Sequence, residues 1–149
     1  MNIEHIEEKV IQGLTTRTSN NNEMNPTLGK IPQLWVQFDR NVQVDYPNGN
    51  RVYGVYYNYE SDASGEFSVL AGTDQADCKS SIELEYVKIH KGKYLVFHAE
   101  GPMPQVVLET WGKIWDYFSN KDTEHKRAYT TDFEYYLSES EIKIFISLK

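Results

Sequence analysis

Phe133-Glu134-Tyr135-Tyr136 echoes Tyr53-Gly54-Val55-Tyr56, and this echo points to the architecture of the chain. The two segments lie 80 residues apart, and the same offset carries Leu34-Trp35-Val36-Gln37-Phe38 onto Ile114-Trp115-Asp116-Tyr117-Phe118. An aromatic helix motif and an aromatic strand motif kept in step are the mark of a duplicated supersecondary unit. The copies disagree most at one position, where Glu134 stands in the place of Gly54. A charge in one copy and a missing side chain in the other predict a pocket with one anionic wall.

Outward from these motifs, residues 10–19 alternate as a strand, and the polar run Ser19-Asn20-Asn21-Asn22 closes it. Leu28, Ile31, Leu34, Trp35 and Phe38 recur at helical spacing behind Pro26. Asn48-Gly49 predicts a tight turn before two strands, 52–59 and 66–72. Residues 82–90 and 93–100 read as a hairpin across Lys91-Gly92. Gly101-Pro102 then leads into a helix with Val107, Leu108, Trp111, Ile114, Trp115 and Phe118 on one stripe. Strands 133–137 and 142–148 close the chain around Ser138-Glu139-Ser140-Glu141. Strand, helix, strand, strand thus occurs twice, over about 8–73 and 88–149. This order predicts one α+β domain with pseudo-twofold symmetry and a cleft between the halves.

A four-residue closing turn pairs Leu137 with Ile142, Tyr135 with Ile144 and Phe133 with Ile146, an apolar face. It places Glu134 opposite Phe145, with Tyr136 opposite Lys143, on the other face. Covered by helix residues such as Trp111, Glu134 becomes a desolvated carboxylate, which favours a raised pKa or a cationic ligand. A planar organic cation gains a further 0.5 to 2 kcal/mol, roughly, from each aromatic face. The plainer alternative is a solvated Glu134 paired diagonally with Lys143, contributing under about 1 kcal/mol.

Composition narrows the function classes. The 149 residues carry a net charge of −7, and the Lys and Arg residues are scattered, which argues against direct nucleic-acid binding. One cysteine, Cys78, allows no intramolecular disulfide and fits a reducing compartment. The acidic amino terminus lacks the pattern of a secretory signal, and no apolar run is long enough to span a membrane, so a cytoplasmic protein is expected. His5, His90, His98 and His125 show no short metal-ligand spacing; His98 and Glu100 share a strand face as an ordinary surface pair. No nucleotide-binding glycine fingerprint occurs, and neither a cofactor nor a metal is expected.

The chain resembles the GyrI-like family of small-molecule-binding domains, which includes the effector-binding domains of AraC-type and MerR-type multidrug-responsive regulators. The resemblance runs through Gly13-Leu14-Thr15-Thr16-Arg17-Thr18, residues 31–38 and 53–56, Lys93-Tyr94-Leu95-Val96-Phe97 with Gly101-Pro102, Thr110-Trp111-Gly112-Lys113-Ile114-Trp115, and Asp132-Phe133-Glu134-Tyr135-Tyr136. It implies that Glu134 meets the charge of hydrophobic cations; the departure from the family is that no DNA-binding module is attached, so a stand-alone binding protein is expected. Trp111 and Phe145 fall where the family supplies aromatic walls, and Tyr53, Tyr46 and Trp35 are further candidates. Gly54, Tyr136 and Val107 complete the expected ligand-binding set.

Two other activities follow from the resemblance. Some GyrI-like proteins resemble hydrolases of small electrophiles, in which Glu134 would act as general base while Trp111 or Tyr136 orients the substrate. A protein partner, a regulator or a topoisomerase, is the third expectation.

Overall fold

The computed structural model describes residues Met1–Lys149 as one eight-stranded antiparallel sheet with two helices and a small two-stranded ribbon. The strands of the main sheet are β1 (Asn2–Ile6), β2 (Lys9–Ser19), β4 (Val52–Tyr57), β5 (Glu66–Thr73), β7 (Glu85–Ile89), β8 (Gly92–Glu100), β9 (Thr131–Ser138) and β10 (Glu141–Ser147). The ribbon is β3 (Val42–Gln43) with β6 (Lys79–Ser80). A single turn, α1 (Asn20–Glu23), precedes α2 (Ile31–Asn41), and α3 is Gln105–Ser119.

The sheet order is β1-β8-β10-β9-β4-β5-β2-β7, and its symmetry confirms the duplication. Each half runs strand, helix, strand, strand, as β2-α2-β4-β5 and β8-α3-β9-β10. The halves meet at β4 and β9, where Gly54 pairs with Glu134. Because these residues are also equivalents at the 80-residue offset, the pseudo-twofold axis passes between them.

The strand that leads into each half crosses to the other. β1 precedes β2 yet pairs with β8, and β7 precedes β8 yet pairs with β2. The hairpin expected across Lys91-Gly92 therefore does not form. Val87 and Ile89 instead pack with Ile11, in a cluster that also holds Tyr94, Val96, Phe133 and Phe145. Curling the sheet buries this cluster on its concave face, so tertiary burial outweighs the local pairing of neighbouring strands.

The register of the closing hairpin differs by one residue from expectation. The turn is the dipeptide Glu139-Ser140, and an irregularity at Glu141/Ile142 lets Tyr136 face Ile142, Glu134 face Ile144 and Phe133 face Phe145. β9 carries aromatic rings on both faces, Phe133 and Tyr135 on one and Tyr136 on the other, so its own pattern does not fix which face joins Ile142, Ile144 and Ile146. The three isoleucines lie beneath α3, and Phe145 stacks on Phe133 with centroids 4.4 Å apart.

Both helices cover the other face. α2 lays Leu34 and Phe38 over β2, β4 and β5; α3 lays Val106, Trp111 and Ile114 over β8 and β10. The stripe on α3 is rotated from the expected one, since Leu108 and Trp115 are exposed while Val106 and Thr110 are buried. The start of α2 is five residues later than Pro26 suggests. There Glu23 accepts the otherwise unpaired N–H groups of Lys30 and Ile31 at 2.8 and 3.0 Å.

Candidate functional site

The site lies where the two helix-covered clusters meet, over the β4–β9 junction. Alternation along β9 turns Asp132, Glu134 and Tyr136 to the helix face, and on β4 it does the same for Val52, Gly54 and Tyr56. Tyr56 and Tyr136 pack against both clusters. α2 brings Trp35 from one side and α3 brings Trp111 from the other.

Glu134 is 2% exposed. Its Oε2 accepts hydrogen bonds from the Tyr56 hydroxyl and from Trp111 Nε1, each at 2.8 Å, and its Oε1 accepts one from the Tyr136 hydroxyl at 2.8 Å. All three donors are neutral, and none of the ion pairs in the molecule includes Glu134. Burial pushes its pKa above the ordinary 4.5, against the three hydrogen bonds, which favour the charged form. Burial and the neighbouring Glu134 also hold the Tyr56 and Tyr136 hydroxyls well above the usual phenol range, so both remain donors at neutral pH.

The glycine opposite is a spatial requirement. A Cβ on Gly54 would lie 2.5 Å from Glu134 Oε1 and 3.2 Å from the Trp35 ring. With hydrogen there, the carboxylate fits close against the partner strand while Trp35 packs edge-on against Tyr136 at 5.5 Å.

Beside this cluster opens a cleft of about 110 Å³. Tyr56, Tyr59, Phe67, Trp111 and Trp115 form its walls, with Ile31, Leu108, Glu23 and Arg127 at its margins. Glu134 does not reach the cleft; the two side chains that donate to its Oε2 stand between. Hydrogen bonding to a carboxylate enriches the Tyr56 and Trp111 rings in electron density and strengthens their attraction for a cation.

A second buried carboxylate, Asp132, lies two residues along the same face and is fully compensated. Arg127 Nη2 donates to it at 2.7 Å, the Tyr59 hydroxyl at 2.5 Å and the Ser147 backbone at 2.8 Å. The Arg127 guanidinium lies 4.4 Å from the Tyr129 ring centroid and about 6 Å from those of Tyr59 and Phe118. The protein thus holds one cation of its own by a carboxylate and aromatic rings.

Of the residues expected in the site, Glu134, Gly54, Tyr136, Trp35 and Trp111 come together. Phe145 and Tyr53 lie on the concave face in the opposite core cluster. The one-residue register shift carries Phe145 there, while Tyr53 follows from alternation beside Gly54. Val107 is half-buried against the cluster under α3, and Tyr46 lies exposed on the short 3-10 turn Tyr46–Asn48. Tyr56 was legible as the same-face neighbour of Gly54, two residues on. Tyr59, Phe67, Asp132 and Arg127 join through long-range packing that no local spacing announces.

His98, Glu100 and Glu141 bring donor atoms within 4.8 Å of one another, a set able to hold a divalent ion. It lies on the face away from Glu134, with His98 and Glu100 exposed. No helix is long and apolar enough to cross a membrane.

Residues 2–148 match the family described as Cass2, integron-associated effector binding protein. The chain belongs to this family. An integron cassette protein from the mobile metagenome of Vibrio cholerae, solved by crystallography, is similar at 42% identity and a TM-score of 0.88, covering 99% of this chain and 95% of that one. YobU of Bacillus subtilis (strain 168), whose name marks it as a candidate transcriptional regulator, is 31% identical over 159 residues, covering 99% of this chain and 96% of its own. The structure of SAV2435 bound to tetraphenylphosphonium shares the fold at a TM-score of 0.65 and 13% identity, covering 99% and 93% of the two chains. The GyrI-like resemblance and the α+β fold expected from the sequence are thereby confirmed, with small-molecule effector binding as the family's function.

Proposed function

We propose that residues 1–149 act as one effector-binding unit that takes hydrophobic organic cations in the aromatic cleft, with Glu134 as the negative charge behind its wall. One observation carries this reading: Glu134 is a buried carboxylate with three neutral donors and no cationic partner. Such a charge is destabilising in the empty protein, and a bound cation offsets it. The tetraphenylphosphonium held by SAV2435, a protein of the same fold, is a ligand of this chemical type.

At about 110 Å³ the cleft is smaller than the roughly 300–1,000 Å³ of drug-sized pockets, so a bulky cation enters by turning Trp115 or Leu108 aside. Both are exposed and sit on one helix face. The arrangement favours binding over base catalysis, because a general base must reach the water it activates, whereas Glu134 accepts three hydrogen bonds from neutral donors and stands behind the cleft wall. Incubation with strained-ring electrophiles and product analysis checks this; turnover abolished in Glu134→Gln would reverse the preference.

The deciding experiment is a titration with tetraphenylphosphonium followed by Trp fluorescence, beside the neutral triphenylphosphine oxide. Saturable quenching by the cation, weakened at least tenfold (about 1.4 kcal/mol) in Glu134→Gln, is expected. Equal affinity for the two compounds in the wild type would refute the charge-selecting cleft.

A further inference from the structure

The aromatic cleft adjoins a second, larger hollow of about 350 Å³, and Arg127 lines both. The two differ in electrostatic character. The cleft has Glu134 behind its wall; the hollow has the side chains of Lys121, Lys126 and Lys149 around it, with Phe118 and Tyr129. None of these lysines forms an ion pair, and the carboxylates of Asp122 and Glu124 on the same loop do not line the hollow.

Arg127 is neutralised by Asp132 at 2.7 Å and adds little to the net field. The end of α3 contributes roughly half a negative elementary charge through its free carbonyls, which three ammonium groups outweigh. The lining of the hollow thus carries unpaired ammonium groups and no carboxylate side chain, next to the one buried carboxylate that lacks a cation.

We infer that the site selects amphipathic zwitterions, with a cationic aromatic head in the cleft and an anionic end group reaching past Arg127 into the lysine-lined hollow. The inference rests on the cation reading of the cleft and adds its second half. The end group is a carboxylate, sulfonate or phosphate ester, since all three present an anion to ammonium donors. A ligand of the same length ending in a second cation meets the lysines and is rejected.

The test uses one N-benzylquinolinium scaffold in three forms: without a tail, with a sulfonate-ended alkyl tail, and with a trimethylammonium-ended tail. Tail length is varied by methylene steps, and binding is followed by Trp fluorescence in wild type and in Lys121→Ala/Lys126→Ala. Both substituted lysines are exposed, so the fold is retained. The sulfonate form is expected to bind the wild type roughly tenfold more tightly than the trimethylammonium form. The lysine variant should erase that ratio and leave the affinity of the tailless cation unchanged.

Equal binding of the two tailed forms, or a ratio unaffected by the lysine substitutions, overturns the inference while leaving the cation cleft standing. If the tailless cation fails to bind but the sulfonate form binds in a lysine-dependent way, the hollow stands and the reading of the cleft falls. Absence of binding by all three defeats both.

Discussion

At the scale of single residues the chemistry turns on two carboxylates two positions apart. Asp132 and Glu134 share a strand, a face and complete burial, yet only Asp132 has a cation. The difference predicts opposite responses. Arg127→Met leaves Asp132 buried and unpaired and should destabilise the fold by about 3–5 kcal/mol. Denaturant unfolding checks this, and Arg127→Met/Asp132→Asn should recover much of the loss. Glu134 needs its charge for binding rather than for stability. Its folded pKa is raised by burial, so its contribution to stability is fully present below the unfolded value and is lost as pH rises through the folded one. Cation affinity runs the other way, falling as pH drops through that raised pKa. Affinity for a permanent cation should therefore weaken on acidification from neutrality, and Glu134→Gln should flatten the profile; an unchanged slope in the variant would assign the titration elsewhere.

Single-strand alternation supplies the next scale. Gly54 is required by the strand opposite, because any Cβ there meets Glu134 Oε1 at 2.5 Å. Gly54→Ala is expected to destabilise the protein by about 1–3 kcal/mol through overpacking and to displace the carboxylate from its three donors. Near-ultraviolet circular dichroism and chemical denaturation read the two effects. Phe145, on the far face of β10, tests the observed register. Phe145→Ala should cost about 3–5 kcal/mol, since it removes a ring stacked on Phe133, yet it should leave cation selectivity in the folded protein unaltered. Under the register expected from the four-residue turn, the same substitution would strip a wall from the site. The helix stripe shows why the sequence alone misplaces such details. Val107, Leu108 and Trp115 have the spacing of a buried face, but the angle at which α3 meets β8 and β10 is set by Ile142, Ile144 and Ile146 beneath it.

Across the whole molecule, reciprocal exchange of β1 and β7 ties the halves together and leaves those two strands as the sheet edges. Stability is then expected to be greatest at the β4–β9 junction, which carries both the symmetry axis and the site. Amide hydrogen exchange should show the amides of 53–55 and 133–135 opening only with global unfolding, while those of Glu85–Ile89 exchange by local fraying. Comparable protection in β7 would contradict that gradient.

Linear order alone carries the duplicated α+β arrangement, the approximate location of both helices and most strands, and the singular position of Glu134 against Gly54. These rest on periodicity and on an offset that survives in linear order. Long-range packing sets which half receives β1 and β7, the register of the closing hairpin, and the company of Glu134. β9 has aromatic rings on both faces, so its pattern fits two registers, and the packing of Phe133 on Phe145 and of Tyr136 into the helix-covered clusters chose between them. Arg127, Tyr59 and Phe67 reach the cleft from separate segments of the chain. Their convergence is a product of sheet curvature, which is set by the packing of the whole core and has no local signature.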